Sequence, residues 1–253
     1  MNMKNTLIFL FGVACSIFVQ GQTDETITIS GKVTDFEGKV IDSCVVQVLH
    51  SDFSSAYEVY SDKDGNYKIY NVKKGKYLAL YAIRPKEYPR RNAVPDIDKR
   101  LEYWAWNLIA DRDLVINPRY HRLELYGLTA FKVQGEPGLM VYVRPMSLGK
   151  LLQYSNDIYT NKERIDNEVD ISVSPENFRA IAFIDNEPVK ILSIQPIKEY
   201  TGKEKEPMIG YIMCLEINKR PDRPYIEIKI EGTNLEFNER GENVCFYEIE
   251  NYK

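Results

Sequence analysis

Few side chains of this chain can act as metal ligands or nucleophiles, because it holds two histidines and four cysteines. A zinc site built on histidine would need His50 and His121 brought together from distant parts of the chain. His50 ends one apolar run and His121 begins another, where a histidine is usually an ordinary strand-end residue. The sequence therefore predicts no metal centre and no cofactor.

Motifs that carry catalysis are missing from the sequence as well. No Gly-x-Ser-x-Gly elbow is present, and Gly75-Lys76 and Gly149-Lys150 lack the upstream glycine and following Ser or Thr of a phosphate loop. Asp111 and Asp113 could form a glycosidase pair, but acids at alternate strand positions usually mark the solvent face of a half-buried sheet. The sequence thus predicts no catalytic residues.

The two tryptophans are the clearest hint of a binding site. Trp104 and Trp106 lie two residues apart, so in a strand they project from one face and Tyr103 projects from the other. An exposed pair could stack on sugar rings or anchor a protein partner. A buried pair would fill the core of a first sandwich or the seam between two units. Residues 84–100 are polar and long for a sandwich loop, so they could cover this strand.

The acidic stretch Asp62-Lys63-Asp64-Gly65-Asn66 is a candidate calcium loop. An EF-hand needs glycine at its sixth position and an acid at its twelfth, whereas here glycine is the fourth residue and Lys73 the twelfth. Alternating apolar runs flank the stretch, and Asp, Gly and Asn tolerate the positive φ of a tight turn. The stretch is predicted to be a hairpin turn.

Most of the chain consists of short segments rich in Val, Ile, Tyr and Phe and bounded by Gly, Pro, Asn or Asp. This pattern is typical of an all-β fold. A helix is expected only near residues 147–159, where Ser147 could cap it and Leu148, Leu151 and Leu152 recur at helical spacing. We also expect a strand at residues 168–174.

The first residues predict export. Lys4 is followed by an apolar run from Leu7 to Val19 and then by small and polar residues, which is typical of a signal peptide over residues 1–21. No later segment is a transmembrane candidate. Cys15 resembles a weak lipoprotein box, but apolar residues follow it directly, which disfavours a lipid anchor. The mature chain is expected in the periplasm or on the outer surface.

Charge and cysteine content bear on two further questions, whether the chain binds nucleic acid and whether disulfides hold it together. Removal of Lys4 changes the formal net charge from −4 to −5, and no basic stripe is present, so a nucleic-acid partner is not expected. Three cysteines remain in the mature chain, Cys44, Cys214 and Cys245, and an odd number argues against a full disulfide framework. Cys214 and Cys245 could pair after export, or all three could be small buried apolar residues.

Two stretches near the amino terminus carry a family resemblance. The motifs are Gly31-Lys32-Val33, Asp35 and Gly38 in the first turn, Asp64-Gly65 followed by Tyr67 and Ile69, and Gly75 before Tyr77. With these motifs, residues 27–90 resemble the carboxypeptidase regulatory-like domain, a transthyretin-like β-sandwich at the front of many exported bacterial proteins. The resemblance implies the sandwich but not a peptidase, because this domain is accessory in metallocarboxypeptidases and their zinc site lies elsewhere.

Two tandem β-sandwiches are therefore expected after the signal peptide. Residues 22–118 form the carboxypeptidase regulatory-like unit, and residues 119–253 form a second sandwich whose repeated hairpins suggest an immunoglobulin-like fold. The expected function is that of a non-catalytic binding or structural accessory protein of the cell envelope, with an envelope protein or a glycan as partner. The alternatives are a carbohydrate-binding module that uses Tyr103, Trp104 and Trp106, and an envelope hydrolase with an unrecognised site.

Overall fold

The computed structural model describes residues 25–200, 207–217 and 223–249. The predicted signal peptide and Cys15 lie outside the described residues. Residues 25–118 are called the first half below, and residues 119–249 the second half. No helix in these described ranges is long and apolar enough to cross a membrane.

The fold is all-β, as the sequence predicts. Among the described residues, three short α-helices lie in the second half, and two 3-10 turns, Pro85–Glu87 and Asp96–Asp98, lie in the first half. The strands of the first half are β1 (Thr26–Lys32), β2 (Val45–Leu49), β3 (Ser55–Tyr60), β4 (Asn66–Lys73), β5 (Gly75–Lys76), β6 (Ala79–Ile83), β7 (Tyr103–Trp106), β8 (Ile109–Ala110) and β9 (Leu114–Val115). Those of the second half are β10 (Leu123–Phe131), β11 (Leu139–Ser147), β12 (Phe178–Ile184), β13 (Glu187–Val189), β14 (Ile191–Glu199), β15 (Met208–Leu215), β16 (Tyr225–Asn234) and β17 (Glu239–Glu248). The helices are α1 (Leu148–Leu152), α2 (Ser155–Thr160) and α3 (Lys162–Glu168).

One eight-stranded sheet takes strands from both halves, in the order β13-β12-β16-β17-β7-β6-β2-β3. The halves join where β17 pairs in parallel with β7, with Val244 opposite Ala105 and Cys245 opposite Trp106. The smaller sheets have the orders β4-β1-β9, β10-β11-β15-β14 and β5-β8. Whether residues 22–118 and 119–253 are separate domains stays a prediction, as does an immunoglobulin-like second unit.

Two hydrophobic cores lie on opposite faces of the eight-stranded sheet. Core 1 packs against the three-stranded sheet, and core 2 against the four-stranded sheet. Because successive side chains of a strand point to opposite faces, β17 serves both cores: Val244 and Phe246 lie in core 1, and Cys245 lies in core 2. Core 1 includes Ile29, Val46, Ile69, Leu80 and Phe246, and core 2 includes Leu125, Val141, Met213, Ile228 and Cys245.

The hairpin turn predicted at Asp62–Asn66 is confirmed. Asp62 Oδ1 accepts hydrogen bonds from the backbone N–H groups of Asp64 at 2.9 Å and Asn66 at 2.8 Å, and Gly65 has a φ of +80°. These bonds lower the pKa of Asp62, with the Asn66 N–H as the largest cause. The carboxylate is therefore used by the turn itself.

The helical region differs in part from the expectation. Ser147 does cap α1, since its Oγ accepts the Lys150 N–H at 3.1 Å, but three short helices follow instead of one. The strand expected at residues 168–174 is wrong: α3 ends at Glu168, and only an isolated bridge between Met146 and Ser172 forms there. Ser172 is tied instead by a local hydrogen bond from its N–H to Asp170.

Core 2 is open along one flank. β13 pairs only with Ala182–Ile184, so the first part of β12 has an unpaired edge, and β14 is the edge strand of the four-stranded sheet. A groove of about 440 Å³ lies between them, lined by Phe178, Ala180, Ile194, Pro196 and Tyr211 among others. Ile194 consequently remains 44% exposed although it pairs with Met213, which faces core 2.

Substituting alanine for Gly241 should destabilise the fold by about 2–3 kcal/mol, because a Cβ there would lie 2.0 Å from the backbone oxygen of Leu123. Urea unfolding followed by circular dichroism measures the loss. Gly75→Ala is the matched control, since its Cβ would meet open space, and a change below about 0.5 kcal/mol is expected. Equal stabilities of the two variants would contradict the close crossing of β10 and β17.

Residues 22–253 should unfold in one cooperative transition, because β17 completes the core of the first half. Differential scanning calorimetry checks this through the ratio of the calorimetric to the van't Hoff enthalpy, which is expected to be about one. Two separate transitions would show that the cores are stable independently in spite of the shared sheet.

Candidate functional site

The structure places the three predicted binding residues on β7, in two different environments. Tyr103 is 1% exposed and lies in core 1. Trp104 is 8% exposed and lies with Trp106 on the other face of the sheet, where Leu49 and Ala79 contact them. The structure therefore brings the tryptophans together and separates Tyr103 from them.

An aromatic row runs across this face, formed by Phe53, Trp104, Trp106 and Tyr126. The two indoles stack with centroids 4.4 Å apart and planes 7° from parallel. Phe53 meets Trp104 edge-on at 6.5 Å, and Tyr126 meets Trp106 edge-on at 6.4 Å. Such offset and edge contacts are the geometries that aromatic rings favour. Since Tyr126 belongs to β10, the row links the two halves.

The middle of the aromatic row is shielded and its ends are open. Trp104 also contacts Tyr81, with centroids 4.3 Å apart, and Trp106 is half-buried. Phe53 is 59% exposed and Tyr126 38% exposed. A sugar ring could thus reach the ends of the row more easily than Trp104.

Hydrogen bonds from one side chain to the backbone hold the aromatic row at the junction of the two halves. The side chain of Asn243, in β17, is fully buried and bridges the halves. Its Oδ1 accepts the Trp104 N–H at 3.0 Å, and its Nδ2 donates to the carbonyl oxygen of Leu125 at 2.8 Å. Asn243 therefore fixes β7 and β10 relative to each other beside the stacked indoles.

Two acids that the sequence did not single out lie against the row. Glu102 shares the face of Trp104, and Glu124, 4% exposed, lies in β10 between two residues of core 2. Within the described residues, Glu102 Oε2, Glu124 Oε1 and both indole Nε1 atoms are buried without a hydrogen-bond partner. Trp104 Nε1 approaches both carboxyls without reaching hydrogen-bond geometry. We call Glu102 and Glu124 the seam acids.

Burial favours the protonated form of both seam acids. It raises the pKa of Glu102 to about 7, against smaller lowering effects of Trp104 and Arg90. It raises the pKa of Glu124 well above its ordinary value, and the Glu102 charge adds to that rise. Arg144 opposes this shift only in part, because its guanidinium pairs with Glu199 and lies 4.8 Å from the centroid of the Tyr126 ring.

Residues 84–100 flank the site, and buried ion pairs hold them in place. Glu87 accepts hydrogen bonds from Arg84 at 2.8 Å and Arg100 at 2.7 Å, and all three side chains are at most 14% exposed. Tyr88 packs with Leu101 in a third apolar cluster that also contains α1 residues. The segment is therefore anchored beside the tryptophan strand by contacts that its polar composition alone does not reveal.

Neither the histidines nor the cysteines belong to the aromatic row, although Cys245 lies opposite Trp106 where β17 pairs with β7. The ring centroids of His50 and Tyr77 lie 6.2 Å apart. Burial lowers the pKa of His121, and the charge of Arg100 lowers it further. Cys44, Cys214 and Cys245 are buried free thiols, and burial raises the pKa of both Cys44 and Cys245 to about 12. Across the described ranges, no three His, Cys, Asp or Glu side chains are grouped to hold a metal ion.

The stacked indoles should stabilise each other. Trp104→Leu is expected to cost at least about 2 kcal/mol because Trp104 is buried, and Trp106→Leu is expected to cost less. In a double-mutant cycle the coupling energy between the two should be about 0.5–1.5 kcal/mol, measured by urea unfolding. Strictly additive losses would contradict the stacking.

Comparisons with known proteins do not place the chain in a family. No model of a known protein family matches it, and no curated protein does. Among solved structures, the Bacillus cereus major pilin subunit BcpA in its D312A form matches with 10% identity, 87% coverage of this chain, 68% coverage of the pilin and a TM-score of 0.27. A Bacteroides uniformis protein provisionally named as carbohydrate-binding has 10% identity, coverages of 88% and 99%, and a TM-score of 0.28. A DUF3823 family protein of Bacteroides ovatus has 9% identity, coverages of 89% and 100%, and a TM-score of 0.27. At these scores the likenesses support no conclusion about function, and the carboxypeptidase regulatory-like resemblance stays a prediction.

Proposed function

We propose that this chain is a non-catalytic accessory protein of the cell envelope that acts as a stiff structural or partner-binding module. The observation that carries the proposal is the burial of Trp104 within the stacked pair. Trp104 is buried between neighbouring aromatic rings, so its large apolar surface already stabilises the fold and is not offered to a ligand.

Stiffness follows from how the halves are joined. The parallel pairing of β17 with β7 makes one sheet of them, and Asn243 and the aromatic row add contacts at the same junction. Interdomain motion is the usual expectation unless the interface is large and hydrophobic. The shared sheet and apolar row therefore suit a module that transmits or holds a fixed geometry between envelope partners.

Glycan binding is the second candidate, because Trp106 and Tyr126 are partly open. A sugar ring could stack on this open end of the row. The hydrolase alternative would require a substrate to reach Glu102 and Glu124. Their unpaired oxygens are buried, so this role would need the seam to open.

Iodide quenching of tryptophan fluorescence on the mature protein should be weak, and a panel of oligosaccharides should leave it unchanged. Phe53→Trp is the matched control, because it adds an indole at the exposed end of the same row and should be quenched strongly. Protection by one oligosaccharide, lost in Trp106→Leu with the fold intact, would replace the structural module by a glycan-binding role.

A further inference from the structure

We propose that Glu102 and Glu124 form a proton-binding site that locks the junction of the two halves when it is protonated and loosens it when it is ionised. The proposal goes beyond the accessory role above and does not depend on it. Its consequence is a module whose internal stiffness follows the pH of its surroundings.

The geometry supports coupling between the halves, because each acid belongs to a different half. Glu102 immediately precedes β7, and Glu124 lies in β10. Glu102 Oε2, Glu124 Oε1 and Trp104 Nε1 are all buried without a hydrogen-bond partner among the described residues, and Trp104 lowers the pKa of both acids. The Trp104 ring is stacked on Trp106. A charge on either acid is thus placed against the apolar row that joins the halves.

Neighbouring charged groups do not neutralise the seam acids. The groups that face them are Tyr81 from β6, Tyr88 and Arg90 from the flanking segment, and Arg144 from β11. Arg90 pairs with Asp166 at 2.6 Å, and Arg144 pairs with Glu199. Burial raises the pKa of both tyrosines, so they stay neutral. Ionising both acids would therefore leave two buried negative charges side by side.

The direction of the pH effect follows from proton linkage. The pKa of each seam acid is higher in the folded chain than the ordinary glutamate value of 4.5. The folded chain therefore binds more protons than the unfolded chain above that pH, so stability falls as pH rises. The contribution is complete below about pH 4.5 and is lost as pH passes through about 7 for Glu102 and higher for Glu124.

Thermal unfolding and iodide quenching between about pH 5 and about pH 8.5 test the proposal on the mature chain and on a variant carrying both Glu102→Gln and Glu124→Gln. The wild type should lose about 3 °C or more of Tm over this range, and its tryptophan quenching should rise about twofold. Glutamine resembles the protonated carboxyl, so the double variant should show no rise in quenching, should lose less Tm than the wild type, and should be the more stable protein at the upper pH. Some loss of Tm should remain in it, because burial also raises the pKa of Glu227, Glu239 and Glu242.

Glu227→Gln is the matched control. Burial also raises the pKa of Glu227, but its charge acts on Tyr103, on the core 1 face of the sheet away from the tryptophans. This variant should keep the wild-type dependence of quenching on pH. The proposal is overturned if the double variant keeps that dependence, or if Glu227→Gln removes it.

Should the double variant fail to fold, carbon-13 NMR titration of the wild-type carboxyl groups decides the matter, with assignments from the two single glutamine variants. Titration of Glu102 and Glu124 above about pH 6 supports the site. Titration of both near the ordinary glutamate value overturns it.

Discussion

The rest of the structure depends on the pairing of β17 with β7. Through it the last strand of the chain completes core 1 with Val244 and Phe246 while Cys245 closes core 2. Because β17 supplies side chains to both faces, neither core is complete without that strand. Two cores on opposite faces of one sheet are also stiffer than two sandwiches joined by a linker, since sliding between the halves would break ladder hydrogen bonds.

This pairing also explains where the aromatic row lies. Val244 lies opposite Ala105 in core 1, so Trp104 and Trp106 must project from the other face, towards the incoming strand β10. Gly241 permits β10 to approach β17 closely. Asn243 of β17 forms hydrogen bonds with backbone groups of β7 and β10 at this crossing. Leu49, Ala79 and Tyr81 of the first half cover Trp104, and Tyr126 of the second half meets Trp106 edge-on. None of these contacts is visible from the residues next to the tryptophans in the sequence.

Local features could be predicted from the sequence, and long-range ones could not. The turn at Asp62–Asn66 and the Ser147 cap are formed by residues two to four positions apart, so the sequence itself shows which groups can bond. Glu124 shows the opposite case: it alternates with Leu123 and Leu125, which is the pattern of an acid on the solvent face of a strand. It is nevertheless 4% exposed, with Glu102 and Trp104, which lie about twenty residues earlier in the chain, and Arg144 of β11 acting on it. The alternation of apolar and polar residues predicts which face of the strand a residue takes. Only the topology of the fold decides whether that face is exposed to solvent.

The seam acids contrast with a paired group of charged side chains in the second half, which packs on Phe36 of the first half. Arg119 binds Glu231 and Glu242 at 2.6 Å each and packs over Phe36, whose ring also meets Arg240, so those carboxylates have a dedicated cation. Glu102 and Glu124 instead face arginines that bind Asp166 and Glu199. Apolar side chains of similar size would make a tighter junction, since burying an unpaired carboxylate costs several kcal/mol. A protonated acid removes most of that cost, so the strength of this junction, unlike that of the arginine contacts, is set by how readily the site keeps its proton.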